Sequence, residues 1–140
     1  MLVKKENQYG RIEVNRTAIG RAVLYELEHY QGRVRLSGKN ARLAPFMRYI
    51  GGDNGISNME IEAEEDVLYI KIYIVMEFGN SIGGTAGELL RRIESRVAEM
   101  LGGYKVVATA VVKGLLVKGE VRPRNIEVRS DGSTINEADR

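Results

Sequence analysis

The run "VLYIKIYIVMEF", residues 67–78, alternates without a break, placing Leu68, Ile70, Ile72, Ile74, Met76 and Phe78 on one side. A period of two is the signature of an extended strand with one face against a core. A strand this long and this apolar belongs in the middle of a sheet, and the chain must supply a second layer to cover it. Just upstream, "MEIEA" alternates as well and "EED" is turn-like, so residues 59–78 read as a β-hairpin.

The covering layer is legible on both sides of the hairpin. Asn15 suits a helix N-cap, since its side-chain oxygen can accept from an unpaired backbone amide. Ile19, Ala22, Val23, Leu27 and Tyr30 then recur at helical spacing, and Gly32 ends the helix. Ala86, Leu89, Leu90, Ile93, Val97, Met100 and Leu101 form the stripe of a second helix, stopped by Gly102 and Gly103. "YKVVATAVV" (104–112) is another strand, whose Val106, Ala108, Ala110 and Val112 face that stripe. "YGRIEV" (9–14) and "RVRLSG" read as short strands, and Ala44 to Ile50 as a short helix opened by Pro45. The expected fold is α+β: a two-layer sandwich with two helices on one face of a three- to four-stranded mixed sheet, ordered strand, helix, hairpin, helix, strand. Residues 1–8 read as a tail, 9–115 as the domain, and 116–140 as a partly disordered extension. Within that extension Val117 to Val121 and Ile126 to Val128 suit short strands, and the last ten residues suit disorder.

"EFGNSIGGTAGELL" raises the question of nucleotide chemistry. A Walker loop needs Lys and then Ser or Thr after its last glycine, whereas Thr85 and Ala86 follow Gly84. The dinucleotide pattern needs two glycines two apart, and none are. Thr85 and Glu88 match a capping box, which predicts a helix starting at Thr85. Gly83, Gly84 and Thr85 are left as a possible weak anion site at a helix start. With no cysteine and a single histidine, His29, the chain lacks the ligands of a thiolate metal centre and the partners of a catalytic dyad. The acids Glu60, Glu62, Glu64, Glu65 and Asp66 read as a solvated hairpin. Arg91, Arg92 and Arg96 read as an exposed helix face paired with Glu88 and Glu99. No catalytic residue, cofactor site or metal site is expected, and neither a signal peptide nor a transmembrane segment is readable, which predicts a soluble intracellular protein.

Three stretches resemble the alkaline shock proteins, or envelope stress response proteins, of Gram-positive bacteria: "YGRIEVNRTAIGRAVLYELEHYQG", "MEIEAEEDVLYIKIYIVMEFGNSI" and "RIESRVAEMLGGYKVVATAVVKGL". They cover about residues 9–36 and 59–115, with Gly10, Gly79, Ile82 and Gly102 as landmarks. The resemblance implies a non-enzymatic cytoplasmic protein, peripheral at the inner face of the membrane. Such a protein self-associates, is recruited by a membrane-anchored partner, and is linked to envelope stress. Relatives carry helix-forming residues where this chain has Gly83, Gly84 and Gly87, so the second helix is expected to start later or more loosely. The tail beyond Gly119 has no counterpart in the resemblance.

Independent of the resemblance, the sheet's second face is expected to carry Tyr69, Tyr73, Val75, Val107 and Val111 inside a polar rim, an arrangement suited to self-association. The alternative is a small RNA-binding module. Its support is Arg33, Arg35, Lys39, Arg42 and Arg48, which occur with no acid before Asp53 and with Phe46 and Tyr49 among them. The same basic segment and the acidic hairpin are expected to form opposite charged poles.

Overall fold

The computed structural model describes residues 3–7, 10–39, 55–79 and 81–136. In chain order the elements are β1 (Val3–Asn7), β2 (Gly10–Val14), α1 (Arg16–Glu28), β3 (Val34–Ser37) and a 3-10 turn (Ile56–Asn58). There follow β4 (Glu60–Glu64), β5 (Val67–Glu77), α2 (Ile82–Met100), β6 (Lys105–Val117), β7 (Glu120–Arg129) and β8 (Thr134–Asn136).

β5 is central, as its alternation requires. β3 and β4 share one of its edges, β3 antiparallel to Tyr73–Met76 and β4 antiparallel to Val67–Lys71. β6 runs parallel along the other edge. A parallel pair cannot be joined by a tight turn, and α2 is the crossover that joins it. β7 adds antiparallel to β6 through a two-residue turn, Lys118 and Gly119, both at positive φ. β8 closes the order β3-β5-β6-β7-β8.

The architecture is thus the expected α+β with two helices and a mixed sheet, but the sheet has six strands rather than three or four. β2 is not among them: it pairs only with β1, in a separate two-stranded sheet. The remaining difference is the tail. Val117 to Val121 and Ile126 to Val128 fall in β6, its turn and one continuous β7, and Thr134–Asn136, expected to be disordered, is β8. Pro123 is tolerated because the ladder between β6 and β7 is already irregular between Val112 and Gly114, where a missing donor costs little.

Between the helices and the sheet lie Ile19 and Val23 of α1, Leu68, Ile70, Ile72 and Ile74 of β5, and Leu89, Leu90 and Ile93 of α2, all fully buried. Each such side chain contributes about 1.5–3 kcal/mol when removed from water. Ala108 and Ala110 of β6 sit in the same core, small enough for α2 to pack closely. Past Val112, the irregularity at Lys113 shifts the phase by one residue, so Leu115 rather than Gly114 returns to the core. Two members of the expected stripes lie outside it. Phe78 falls just past the end of β5 and is 65% exposed, and Met100, at the last turn of α2, is 39% exposed.

α1 starts where the sequence places it, with the Asn15 side chain accepting from the Ala18 amide at 2.9 Å. α2 does not. Its N-cap is Ser81, whose hydroxyl accepts from the Gly84 amide at 3.1 Å, and Thr85 lies inside the helix rather than at its cap. The reason is tertiary. An added Cβ at Gly83 would stand 2.4 Å from the Gly132 carbonyl oxygen, and one at Gly87 would stand 2.9 Å from the Gly132 Cα. The turn between β7 and β8 rests directly on the helix backbone, so the glycines are kept despite their helical cost of about 1 kcal/mol each. The short helix expected over 44–50 lies outside the described residues.

Candidate interaction site

On the face of the sheet opposite the helices, Tyr69 pairs with Val107 and Tyr73 with Val111 across the β5–β6 ladder. The register therefore brings the expected apolar residues together, yet they do not form one open patch. Tyr73, Val75 and Val111 are buried at 8%, 1% and 2% exposure, leaving Tyr69 at 43% and a half-buried Val107. Alternation assigns a residue to a face, but whether the rest of the chain covers that face is a tertiary matter.

What remains open is a groove of about 290 Å³ lined by Glu60, Glu62, Tyr69, Lys71, Val107 and Thr109. Glu60 and Glu62 of β4 stand opposite Lys71 and Tyr69 of β5, so the groove has an acidic wall along an apolar floor. At one end the Tyr73 hydroxyl donates to Glu60 at 2.5 Å, while Lys39 lies 3.4 Å from the same carboxylate and 5.8 Å from the Tyr73 ring. The Tyr73 hydrogen bond, reinforced by Lys39, holds the Glu60 carboxyl below its usual range against the opposing effect of burial. The acids of β4 are thus partly committed and not a free cation site. Among the described residues no cluster of three or more His, Asp or Glu is arranged to hold a metal.

Three residues of the basic segment are described. Arg33 is exposed but folds back, its Nε donating to the Tyr30 carbonyl at 3.1 Å and its guanidinium 5.8 Å from the Tyr30 ring. Arg35 is half-buried, Lys39 is bound to Glu60, and Arg42 and Arg48 lie outside the described residues. The expected separation of charged poles fails at Lys39, where the basic segment meets the acidic strand. Of the residues at the head of α2, two amides are already engaged: Ser81 takes the Gly84 amide, and the Thr85 amide is bonded to the Ser81 carbonyl at 2.9 Å.

A second polar arrangement was not legible in the sequence. Glu26 of α1 is 4% exposed and receives Arg92 Nε at 3.1 Å and Arg96 Nε at 2.6 Å. Burial alone would raise its carboxyl, but the bonds from Arg96 and Arg92 outweigh it and hold the group below its usual range. Arg96 also lies 4.1 Å from the Tyr25 ring. Of the three arginines expected to pair with Glu88 and Glu99 along their own helix, Arg92 and Arg96 therefore reach to the neighbouring one, and Arg91 donates to the Ser130 carbonyl. Glu88 instead accepts from the Tyr30 hydroxyl at 2.9 Å, and burial followed by that contact pushes Tyr30 up to about 12. His29, the C-cap of α1, has its ring 5.7 Å from Tyr25. These groups form a clasp between the helices, and Glu26, Glu88, Arg92 and Arg96 line an open surface depression of about 420 Å³.

Compared with known families, residues 4–117 match the alkaline shock protein 23 family, described as having a cell envelope-related function. The chain belongs to that family. The alkaline-shock match spans β1 through β6 and ends on the last residue of β6, so β7 and β8 lie beyond it. No curated protein and no solved structure matches the chain. No helix among the described residues is long and apolar enough to cross a membrane.

Proposed function

We propose that this alkaline-shock-family chain is a non-enzymatic, self-associating scaffold of the cell envelope, held at the inner face of the membrane by an anchored partner. The observation that carries the reading is the groove across β4, β5 and β6, where Tyr69 stands 43% exposed beside Val107 with charged residues along the rim. An exposed tyrosine on a rigid sheet, ringed by polar groups, is the usual make-up of a contact that excludes water at its centre. Tyr69, not the buried Tyr73, is its anchor. The family's cell envelope-related function and the lack of a membrane-crossing helix among the described residues agree with recruitment through another protein. RNA binding through the segment 33–48 is supported less, since Lys39 is paired with Glu60 at 3.4 Å.

Sedimentation velocity at about 100 µM protein and low salt tests the proposal. The wild-type chain is expected to associate and Tyr69→Glu to run as a monomer, because an added carboxylate in the contact must be desolvated without a partner. A wild-type chain that stays monomeric under these conditions, or a Tyr69→Glu variant that associates equally well, refutes it.

A further inference from the structure

The tail beyond the family match and the glycines at the head of α2 are explained by one contact. The β7–β8 turn seats Gly132, at φ +87°, against Gly83 and Gly87, and Arg91, one helical turn further on, donates to the Ser130 carbonyl at 2.6 Å. We propose that the outer edge of β6, together with this side of α2, is a strand-accepting surface. At rest the chain fills it with its own β7–β8 hairpin; on release it accepts the same hairpin from a second copy. The proposal does not depend on the sheet-face reading given above.

The argument starts from the backbone. Without β7, the amides and carbonyls of β6 from Thr109 to Val117 would form an unpaired edge, the ordinary template for addition of a foreign strand. The family match ends on Val117, so the segment that closes this edge is an addition to the shared domain. The closure continues past the end of β7. Ala108 is the next β6 residue, and its amide is taken at 2.9 Å by Glu94 of α2. Apart from the irregularity at Lys113, the edge from Ala108 to Val117 is therefore occupied, by a strand or by a carboxylate standing in for one.

The hairpin grips unevenly. Glu120, Arg122, Pro123 and Arg124 are exposed, and Val128 alone in β7 is fully buried. Its hold lies at the far end, in Val128, the Gly132 seat and the Arg91 bond. A strand anchored at its tip is released by unseating the tip. The link to β6 is only Lys118 and Gly119, and Lys118 sits at φ +49°, a conformation that a non-glycine residue adopts at a cost. Short strained hinges of this kind favour exchange of the following element between identical chains. The second copy is the partner because its hairpin reproduces every contact of the first.

The test is made in a Tyr69→Glu background, which removes association through the sheet face. Gly83→Ala with Gly87→Ala places methyl groups against the Gly132 backbone while favouring the helix itself. Amide exchange over 126–136 is expected to accelerate at least ~10-fold while 68–76 stays protected. Lys118→Val with Gly119→Val penalises the positive-φ turn that the closed monomer needs and a swapped dimer does not, and is expected to move sedimentation at about 100 µM from monomer to dimer. Should the glycine variant lose protection over 68–76 as well, Arg91→Ala gives the same exchange reading without touching the helix packing. The lock is Thr109→Cys with Arg129→Cys, available because the chain has no cysteine of its own. Arg129 bonds its amide toward Ser133, so its pair with Thr109 is the close, non-hydrogen-bonded kind that suits a disulfide. Oxidised as a dilute monomer, the lock is expected to prevent the dimer until it is reduced; oxidised as a swapped dimer, the same pair is expected to link two chains covalently. A hinge variant that remains monomeric, unchanged exchange in the seat variants, or dimers that form after the monomer has been oxidised would each overturn the proposal.

Discussion

α2 is held on two sides by opposite means. Toward α1 it extends Arg92 and Arg96 to a buried carboxylate, Glu26, and the contact is one of charge. Toward β8 it offers bare backbone at Gly83 and Gly87 to the backbone of Gly132, and the contact is one of shape. The difference lies in what each tolerates. A charged clasp accepts small shifts but depends on protonation. A backbone seat is indifferent to pH but has no room for a single methyl group.

The largest effect is expected on the charged side. Glu26→Ala removes two charge-assisted hydrogen bonds but leaves Arg92 and Arg96, 42% and 40% exposed, able to turn to water, so the loss is expected to be about 1.5–3 kcal/mol. Chemical denaturation should show this as a lowered midpoint with an unchanged slope. An effect below about 1 kcal/mol would mean that the guanidinium groups swing freely to water.

Acid sharpens the same contrast. Because the folded chain holds the Glu26 carboxyl below its ordinary value, the unfolded chain takes up the proton first as pH falls. The clasp's contribution is thus complete above the ordinary carboxylate value near 4.5 and disappears as pH drops through the folded value. Glu26→Gln should remove that part of the pH dependence, while the glycine variants should titrate in parallel with the wild type.

On the shape side the expected losses are smaller. Gly83→Ala sets an overpacking cost of about 1–3 kcal/mol against a helical gain of about 1 kcal/mol, for a net loss of about 1 kcal/mol. Gly84→Ala meets only the Ser81 side chain, no closer than 3.0 Å, and should be near neutral in the same assay. Equal effects at the two positions would dissolve the distinction between seat and helix. Smallest is the cap. Ser81→Ala should cost about 1 kcal/mol and Thr85→Ala less, the reverse of what a capping box at Thr85 requires.

The elements whose burial follows a simple period were legible in the sequence. β5, the apolar stripe of α2, the Asn15 cap and the core-facing alanines of β6 all express a local pattern that the fold keeps. The head of α2 was not, because a local match between Thr85 and Glu88 lost to a contact from a turn far along the chain. β7 was legible only in pieces, since a mostly exposed strand carrying Pro123 has neither alternation nor apolar weight. Tyr73 and Val75 were assigned to the correct face but not to the correct environment. The Glu26 clasp left no trace at all, because spacing along one helix says nothing about the side chains of its neighbour.

The two-residue turn after β6 also has a consequence in time. Chains emerge during synthesis at about 5–20 residues per second, so the stretch that makes β7 and β8 follows β6 after roughly 1–4 s. A β-hairpin forms within ~1–10 µs once both strands are present. For that interval the β6 edge is an open seam on every nascent copy, and copies on neighbouring ribosomes of one message present the same seam side by side. The short turn keeps the interval as brief as the connection allows, and the cell's rate of translation becomes one of the conditions under which this edge stays private to its own chain.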